Sequence, residues 1–199
     1  MAPRTIVQRK PPHPIGMPML KLALAGCGKF ARRYHVPAIA SDPSLRVTVI
    51  CDVGVTAAVR LGARTTTMDD LWVDDACDAV IVSTPHRLHG PHAAACLAHE
   101  KRVLVDKPFV LTSAEARELT ENAQSRGVLA GVAFNRRLDA ACQHARDADG
   151  SPGAATINFA AAVRNAERSA CSFAEACISL RMIEAAFASA AAGEGWRPV

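Results

Sequence analysis

The chain has 199 residues, half of them hydrophobic and only 5% aromatic, which is enough for one domain with a core built mostly of Ala, Val and Leu. Of the formal net charge of +4, three units come from Arg4, Arg9 and Lys10 in the first 20 residues, so the rest is almost neutral and offers no basic face to nucleic acid. No apolar run reaches the ~18–20 residues of a membrane helix. Seven cysteines without a C-x-x-C pair favour free thiols in a reducing, cytoplasmic setting over a disulfide framework or a zinc site.

Residues 1–19 lack the apolar centre of a secretory signal, and Pro11, Pro12, Pro14 and Pro18 would break a targeting helix. They read as a disordered extension; an organelle transit peptide and a start at Met17 or Met19 are the alternatives. Leu20 to Ala25 is a short apolar run ending at glycine, hence a buried strand. A glycine turn leads into a helix over Phe30 to Ser41, which Pro37 should kink or restart. Leu45 to Cys51 is a second buried strand, Val55 to Gly62 a helix, Thr65 to Thr67 a weak strand and Met68 to Trp72 a short helix.

A fourth strand, Ala79 to Ser83, ends at Thr84-Pro85, and an alanine-rich helix runs from Leu88 to His99. Arg102 to Asp106 is a fifth strand, stopped by Lys107-Pro108. Thr112 and Glu115 form a capping box that opens a helix to Arg126, and Val128 to Phe134 is the sixth strand. Strands that are apolar throughout and alternate with helices define an α/β fold, a Rossmann-type doubly wound parallel sheet covered on both faces. Beyond it the pattern weakens: a polar, weakly helical Arg136 to Gly150, a turn at Ser151 to Gly153, one strand over Ala154 to Val163, and a long helix over Phe173 to Ala192. The expected division is therefore 1–19 extension, 20–135 dinucleotide-binding domain, and 136–199 a short C-terminal remnant ending in a helix.

Gly26-Cys-Gly-Lys-Phe-Ala31 is a G-x-G-x-x-A turn between a strand and a helix. Gly26 permits the tight turn, Gly28 lets a pyrophosphate approach the backbone, and Ala31 allows close helix–strand packing. Lys29 and Phe30 open the helix whose positive end faces the phosphates. Asp52 follows the second strand, where a carboxylate can accept both ribose hydroxyls and repel a 2′-phosphate, so NAD is favoured and NADP remains possible. Ser83, Thr84 and Pro85, then Asp106, Lys107 and Pro108, fall at the carboxyl ends of the fourth and fifth strands, where ligands bind in open α/β sheets. His86, His89 and His92 recur every third residue without a neighbouring carboxylate ligand, so no metal is assigned, and they read as helix-start residues of the cofactor cleft.

Taken together, His35-Val-Pro-Ala38, Asp78 to Pro85 with His89, Glu100 to Pro108, and Asn135-Arg-Arg137 make residues 20–137 resemble the family of glucose–fructose oxidoreductase, inositol dehydrogenase and MocA. The resemblance implies a nicotinamide cofactor and hydride transfer to or from a hydroxyl-bearing carbon of a sugar- or polyol-like small molecule. Lys107 matches the lysine of the family's E-K-P motif, which implies a role in proton transfer or substrate placement. Asp106 stands where the family has glutamate, so its reach toward Lys107 is shorter. Pro108 matches a proline often preceded by a cis peptide, and His89 is the histidine of the three that fits the family motif.

The family's second domain, a large open sheet with a D-x-x-x-H pattern, has no counterpart after Arg137: His144 is the only histidine there and Ala140 lies four before it. Phe173 to Ser189 and the tail Trp196 to Val199 nevertheless resemble the family's last helix and terminus. Lost exons, an internal deletion and a minimal binding module each account for that pattern. Three functions stay open: an oxidoreductase with impaired turnover, a dinucleotide-binding protein without catalysis, and an interaction module that oligomerises through an exposed apolar sheet surface.

Overall fold

The computed structural model describes residues 19–54, 56–134, 154–165, 169 and 171–191. Strands β1 (Leu20–Ala25), β2 (Leu45–Cys51), β3 (Arg64–Thr65), β4 (Ala79–Val82), β5 (Arg102–Asp106) and β6 (Ala130–Ala133) form one sheet in the order β3-β2-β1-β4-β5-β6, with every pairing parallel. The order reverses between β1 and β4, and that switch point opens a crevice at the carboxyl ends of the strands. The helices are α1 (Val36–Ser41), α2 (Thr56–Leu61), α3 (Met68–Val73), α4 (His89–Ala98), α5 (Ser113–Ser125), α6 (Ala154–Asn165) and α7 (Phe173–Ala191).

The local sequence accounts for most of these limits. A π-helical turn over Ala31–His35 runs into α1, whose first turn holds Pro37. Proline has no N–H to give the preceding turn, so the ladder widens there and the helix restarts, as anticipated. Thr112 accepts from the N–H of Glu115 at 3.2 Å, and Glu115 accepts from Leu111 N–H at 3.2 Å, so the capping box closes one residue further back than the standard form. The third strand is the shortest, two residues instead of the three expected.

The core lies on both sides of the sheet. One side gathers Ala23, Ala25, Val80, Val82, Val103 and Val105 under α3, α4, α5 and the start of α7. The other gathers Leu22, Leu24, Ile81 and Leu104 under α1 and α6. The crossovers before β4, β5 and β6 all run on the first side, so β4–β6 would be bare on the second side without α6.

Helix α6 corrects the strand expected over Ala154 to Val163. The segment is alanine-rich, which favours helix, and its buried Ala155, Phe159, Ala160 and Val163 recur at helical spacing. Its partner is the uncovered half of the sheet, against which Phe159 is buried completely, worth about 2–3 kcal/mol of apolar transfer. The apolar sheet surface expected to lie exposed is therefore covered. Large exposed apolar residues gather instead on α7. The expectations for residues 1–18, 135–153 and 192–199, which include His144 and the terminal tail, lie outside the described residues.

Candidate active site

The glycine turn is shaped from both sides. Gly26 has φ +86°, in the left-handed region, and a Cβ there would lie 2.7 Å from the carbonyl oxygen of Ser83 and 2.9 Å from the amide nitrogen of Thr84. Its N–H donates to Cys51 at 2.8 Å, and Ser83 N–H donates to Ala25 at 2.8 Å, so the ends of β1, β2 and β4 meet at this residue. Gly28 has the opposite setting: a Cβ there would meet no atom within 4 Å. It is exposed, as is Lys29, and the space before it is open to a ligand. Phe30 is half-buried against Tyr34, with ring centroids 4.6 Å apart.

Asp52 reaches back across the crevice. Its Oδ2 accepts from Cys27 N–H at 2.5 Å and its Oδ1 from Gly54 N–H at 2.9 Å. A carboxylate has about four lone-pair positions, so two backbone donors fix it and leave capacity for hydroxyl donors. Val53, next in sequence, is fully exposed, an apolar wall beside the acid that sequence reasoning did not single out. Burial and then the Asp52 charge push the Cys27 thiol up from its ordinary value, so this side chain adds no negative charge to the turn. Arg64 is paired with Asp74.

Asp106, at the end of β5, is buried. Its Oδ1 faces His35 Nε2 at 2.7 Å, and its Oδ2 accepts from the Ser83 hydroxyl at 2.5 Å. A carboxylate only accepts, so His35 directs an N–H at it, and His35 Nδ1 meets the Thr156 hydroxyl at 2.7 Å. Thr156, His35, Asp106 and Ser83 thus form one buried chain linking α6, the π-helical turn, β5 and the end of β4. Both oxygens of Asp106 point into this chain, while Lys107 beside it is exposed, with a cis peptide between Lys107 and Pro108.

The three spaced histidines separate into three environments. His86 is exposed. His89 is fully buried, with Nδ1 at 2.8 Å from the Pro108 carbonyl and Nε2 at 2.8 Å from the Thr84 carbonyl, so it joins the two loops rather than presenting a nitrogen to the crevice. His92 is half-buried, with its Nδ1 at 3.0 Å from the Thr84 hydroxyl. Burial, and then its neighbour His89, lower its pKa. Pro85 is exposed. His35 and Thr156 were not among the expected site residues. His35 stood out only within its H-x-P-A run, and no signal in the sequence links Thr156 to it.

A sheet of this order, with a glycine turn at the switch point and an acid after β2, defines a dinucleotide-binding Rossmann domain. Residues 20–134 match the model of the oxidoreductase family of glucose–fructose oxidoreductase, inositol dehydrogenase and MocA, described as a NAD-binding Rossmann fold, and the chain belongs to this family. It is 31% identical over 135 residues to 1,5-anhydro-D-fructose reductase of Ensifer adhaerens, covering 65% of this chain and 40% of that protein. Among solved structures, GenD2 from gentamicin A biosynthesis in complex with NAD has a TM-score of 0.60 and 34% identity, covering 66% of this chain and 40% of that one. KijD10, a 3-ketoreductase from Actinomadura kijaniata in complex with NADP and TDP-benzene, has a TM-score of 0.61 and 26% identity, covering 66% and 42%. The chain thus spans about two-fifths of the length of the proteins it resembles.

Proposed function

We propose that residues 20–135 bind a nicotinamide dinucleotide, NAD in preference to NADP, and that the domain is the cofactor half of an oxidoreductase acting on a hydroxyl of a sugar- or polyol-like small molecule. The observation that carries this reading is Asp52, held by the backbone N–H groups of Cys27 and Gly54 beside a glycine turn whose Gly28 has open space in front of it. The turn would receive the pyrophosphate, Asp52 the adenosine ribose and Val53 the adenine. A carboxylate in that position disfavours a 2′-phosphate, and Arg64 is already paired with Asp74. The second half of the site would lie along Ser83, Thr84, Pro85 and Lys107, with His89, Asp106 and Pro108 supporting it from within.

The bound nicotinamide would supply hydride exchange with a carbinol carbon. Lys107 Nζ, exposed at the end of β5, would hold the substrate oxygen and stabilise developing negative charge on it. The 1,5-anhydro-D-fructose reductase and 3-ketoreductase relatives support a carbohydrate-like substrate.

A second reading, binding without turnover, has its own support. Residues 136–199 would be a remnant of the substrate domain: the sequence has no D-x-x-x-H after Arg137, and α6 and α7 pack on the Rossmann body.

Titration of NADH fluorescence, with turnover assays on a sugar and polyol panel, separates the two. Micromolar NADH binding, with reduction of NAD+ to NADH as a panel member is oxidised, is the expected result. Binding without turnover moves the assignment to the second reading, and a folded chain that binds neither NADH nor NADPH overturns both. Asp52→Ala should weaken NADH binding about tenfold or more, the scale of losing charge-assisted hydrogen bonds, and bring NADPH closer to parity. Unchanged NADH affinity would remove the ribose role.

A further inference from the structure

Two hydroxyl side chains stand at the end of β4, and they are committed differently. The Thr84 hydroxyl is turned to His92 Nδ1 at 3.0 Å. The Ser83 hydroxyl donates to Asp106 Oδ2 at 2.5 Å. Ser83 and Asp106 lie side by side because they follow Val82 and Val105, which are paired across β4 and β5. The carboxylate is not free to swing toward solvent. It is buried, and its Oδ1 is occupied by His35 Nε2 at 2.7 Å, with His35 Nδ1 in turn 2.7 Å from the Thr156 hydroxyl of α6.

This arrangement fixes a polarity. A serine hydroxyl has one hydrogen and two lone pairs, whereas a carboxylate has lone pairs only. With its hydrogen committed to Asp106, Ser83 Oγ has nothing but lone pairs to offer elsewhere. Ser83 is half-buried, and among the described residues no N–H or O–H of the chain donates to its Oγ.

The place of this residue gives the polarity a consequence. The Ser83 main chain borders the glycine turn, its carbonyl oxygen lying 2.7 Å from where a Cβ of Gly26 would be. A free hydroxyl there would donate to a phosphate, but this one cannot. Phosphate oxygens only accept, and the Asp106 carboxylate stands behind the serine with charge of the same sign.

We propose that Ser83 is an acceptor-only subsite of the crevice, which takes a neutral N–H or O–H donor from the nicotinamide half of the dinucleotide and not the pyrophosphate, and that Asp106 is the positioning residue that sets this polarity. The proposal rests on the dinucleotide reading of the site. Two groups on that half of the cofactor carry such a donor, the ribose hydroxyls and the carboxamide. The buried carboxylate strengthens either bond, because hydrogen bonds in a chain polarise one another.

Three probes separate the parts of the cofactor. ADP ends at the pyrophosphate, ADP-ribose adds the second ribose, and NADH adds the nicotinamide. NADH is titrated by its fluorescence and the other two by competition with it. Ser83→Ala should weaken NADH about fivefold, the scale of one hydrogen bond, and leave ADP within about twofold of the parent. ADP-ribose should weaken together with NADH where a ribose hydroxyl is the donor, and stay with ADP where the carboxamide is. Asp106→Asn puts an amide N–H beside Ser83, which donates to the serine and turns its hydrogen outward. NADH should weaken by a similar factor, and the double variant should be no weaker than Ser83→Ala alone, a coupling that a general loss of structure does not give.

A folded parent that binds neither NADH nor NADPH overturns the dinucleotide reading and this proposal with it. In a parent that binds, equal losses of ADP and NADH in Ser83→Ala would make the hydroxyl a phosphate donor and overturn the proposal alone. Unchanged NADH affinity in Ser83→Ala does the same. Additive losses in the double variant remove Asp106 from its positioning role. Where Asp106→Asn does not fold, the comparison of NADH with ADP in Ser83→Ala decides by itself.

Discussion

The two halves of the crevice are held by different means. On the β1–β2 side the geometry is set by backbone: Gly26 packs against the main chain of Ser83 and Thr84, and Asp52 is fixed by the N–H groups of Cys27 and Gly54. On the β4–β5 side it is set by buried side chains: Asp106 between His35 and Ser83, and His89 between two carbonyl groups. A backbone-built site depends on a few residues whose conformation and size are fixed, and tolerates little change in them. A side-chain-built site depends on residues far apart, and loses its arrangement when any member is left without its partner.

The buried chain is the sharpest point at which to break this contrast. His35→Ala would leave Asp106 with one partner in an almost fully buried position. Leaving a buried acceptor without one of its hydrogen-bond donors costs about 1–3 kcal/mol. Urea denaturation should show that loss, and NADH affinity in the surviving folded fraction should change much less, because the glycine turn and Asp52 are untouched. If His35→Ala costs under about 1 kcal/mol, the chain Thr156–His35–Asp106–Ser83 does not hold the second half together.

The glycine turn supplies the next test, using two residues of the same type and opposite surroundings. Gly26→Ala places a Cβ 2.7 Å from a backbone oxygen at φ +86°, where neither side can yield. The expected cost is about 2–3 kcal/mol, from strain of this kind. Gly28→Ala meets nothing and should leave the unfolding midpoint almost unchanged. Its methyl would instead enter the space proposed for the pyrophosphate, so NADH binding should fall about tenfold or more, measured by the same titration. Equal stability losses in the two variants would show that the turn has a single structural role.

The same contrast explains what could be read from the sequence. Five of the six strands and the restart of the helix at Pro37 follow from local patterns: apolar runs of four to seven residues, Gly and Pro at their ends, and caps; β3, two exposed polar residues, does not. Gly26 and Asp52 are legible from the strand–turn–helix pattern and the strand end on which they lie, although Gly26 packs on Ser83 and Asp52 binds Cys27 25 residues away. The His35–Thr156 contact spans 121 residues and the His35–Asp106 contact 71, and no local pattern records either. Ala154 to Val163 is ambiguous in the sequence, because its four β-branched or aromatic residues, Thr156, Ile157, Phe159 and Val163, can be read at either period. Its identity is settled by a tertiary demand, the half of the sheet over β4–β6 that needs a cover. Asp106 was read as a neighbour of Lys107, whereas the structure turns its carboxylate inward.

His92 provides the smallest and most specific test, because it joins the two modes of construction: its ring lies against Trp72, with centroids 5.4 Å apart, and meets the Thr84 hydroxyl at 3.0 Å. Burial lowers its pKa below the ordinary value of 6.5, with His89 adding to the effect. The unfolded chain therefore takes up a proton at higher pH than the folded chain does. The stability tied to this ring is present above about pH 6.5 and is lost as the pH falls through the lower folded value. The melting temperature should accordingly drop on acidification from pH 7.5 toward 5.5. His92→Gln, which keeps a hydrogen-bonding side chain without a titrating ring, should flatten that part of the profile. An unchanged slope in His92→Gln would place the acid sensitivity in other groups and leave the Thr84 contact as packing alone.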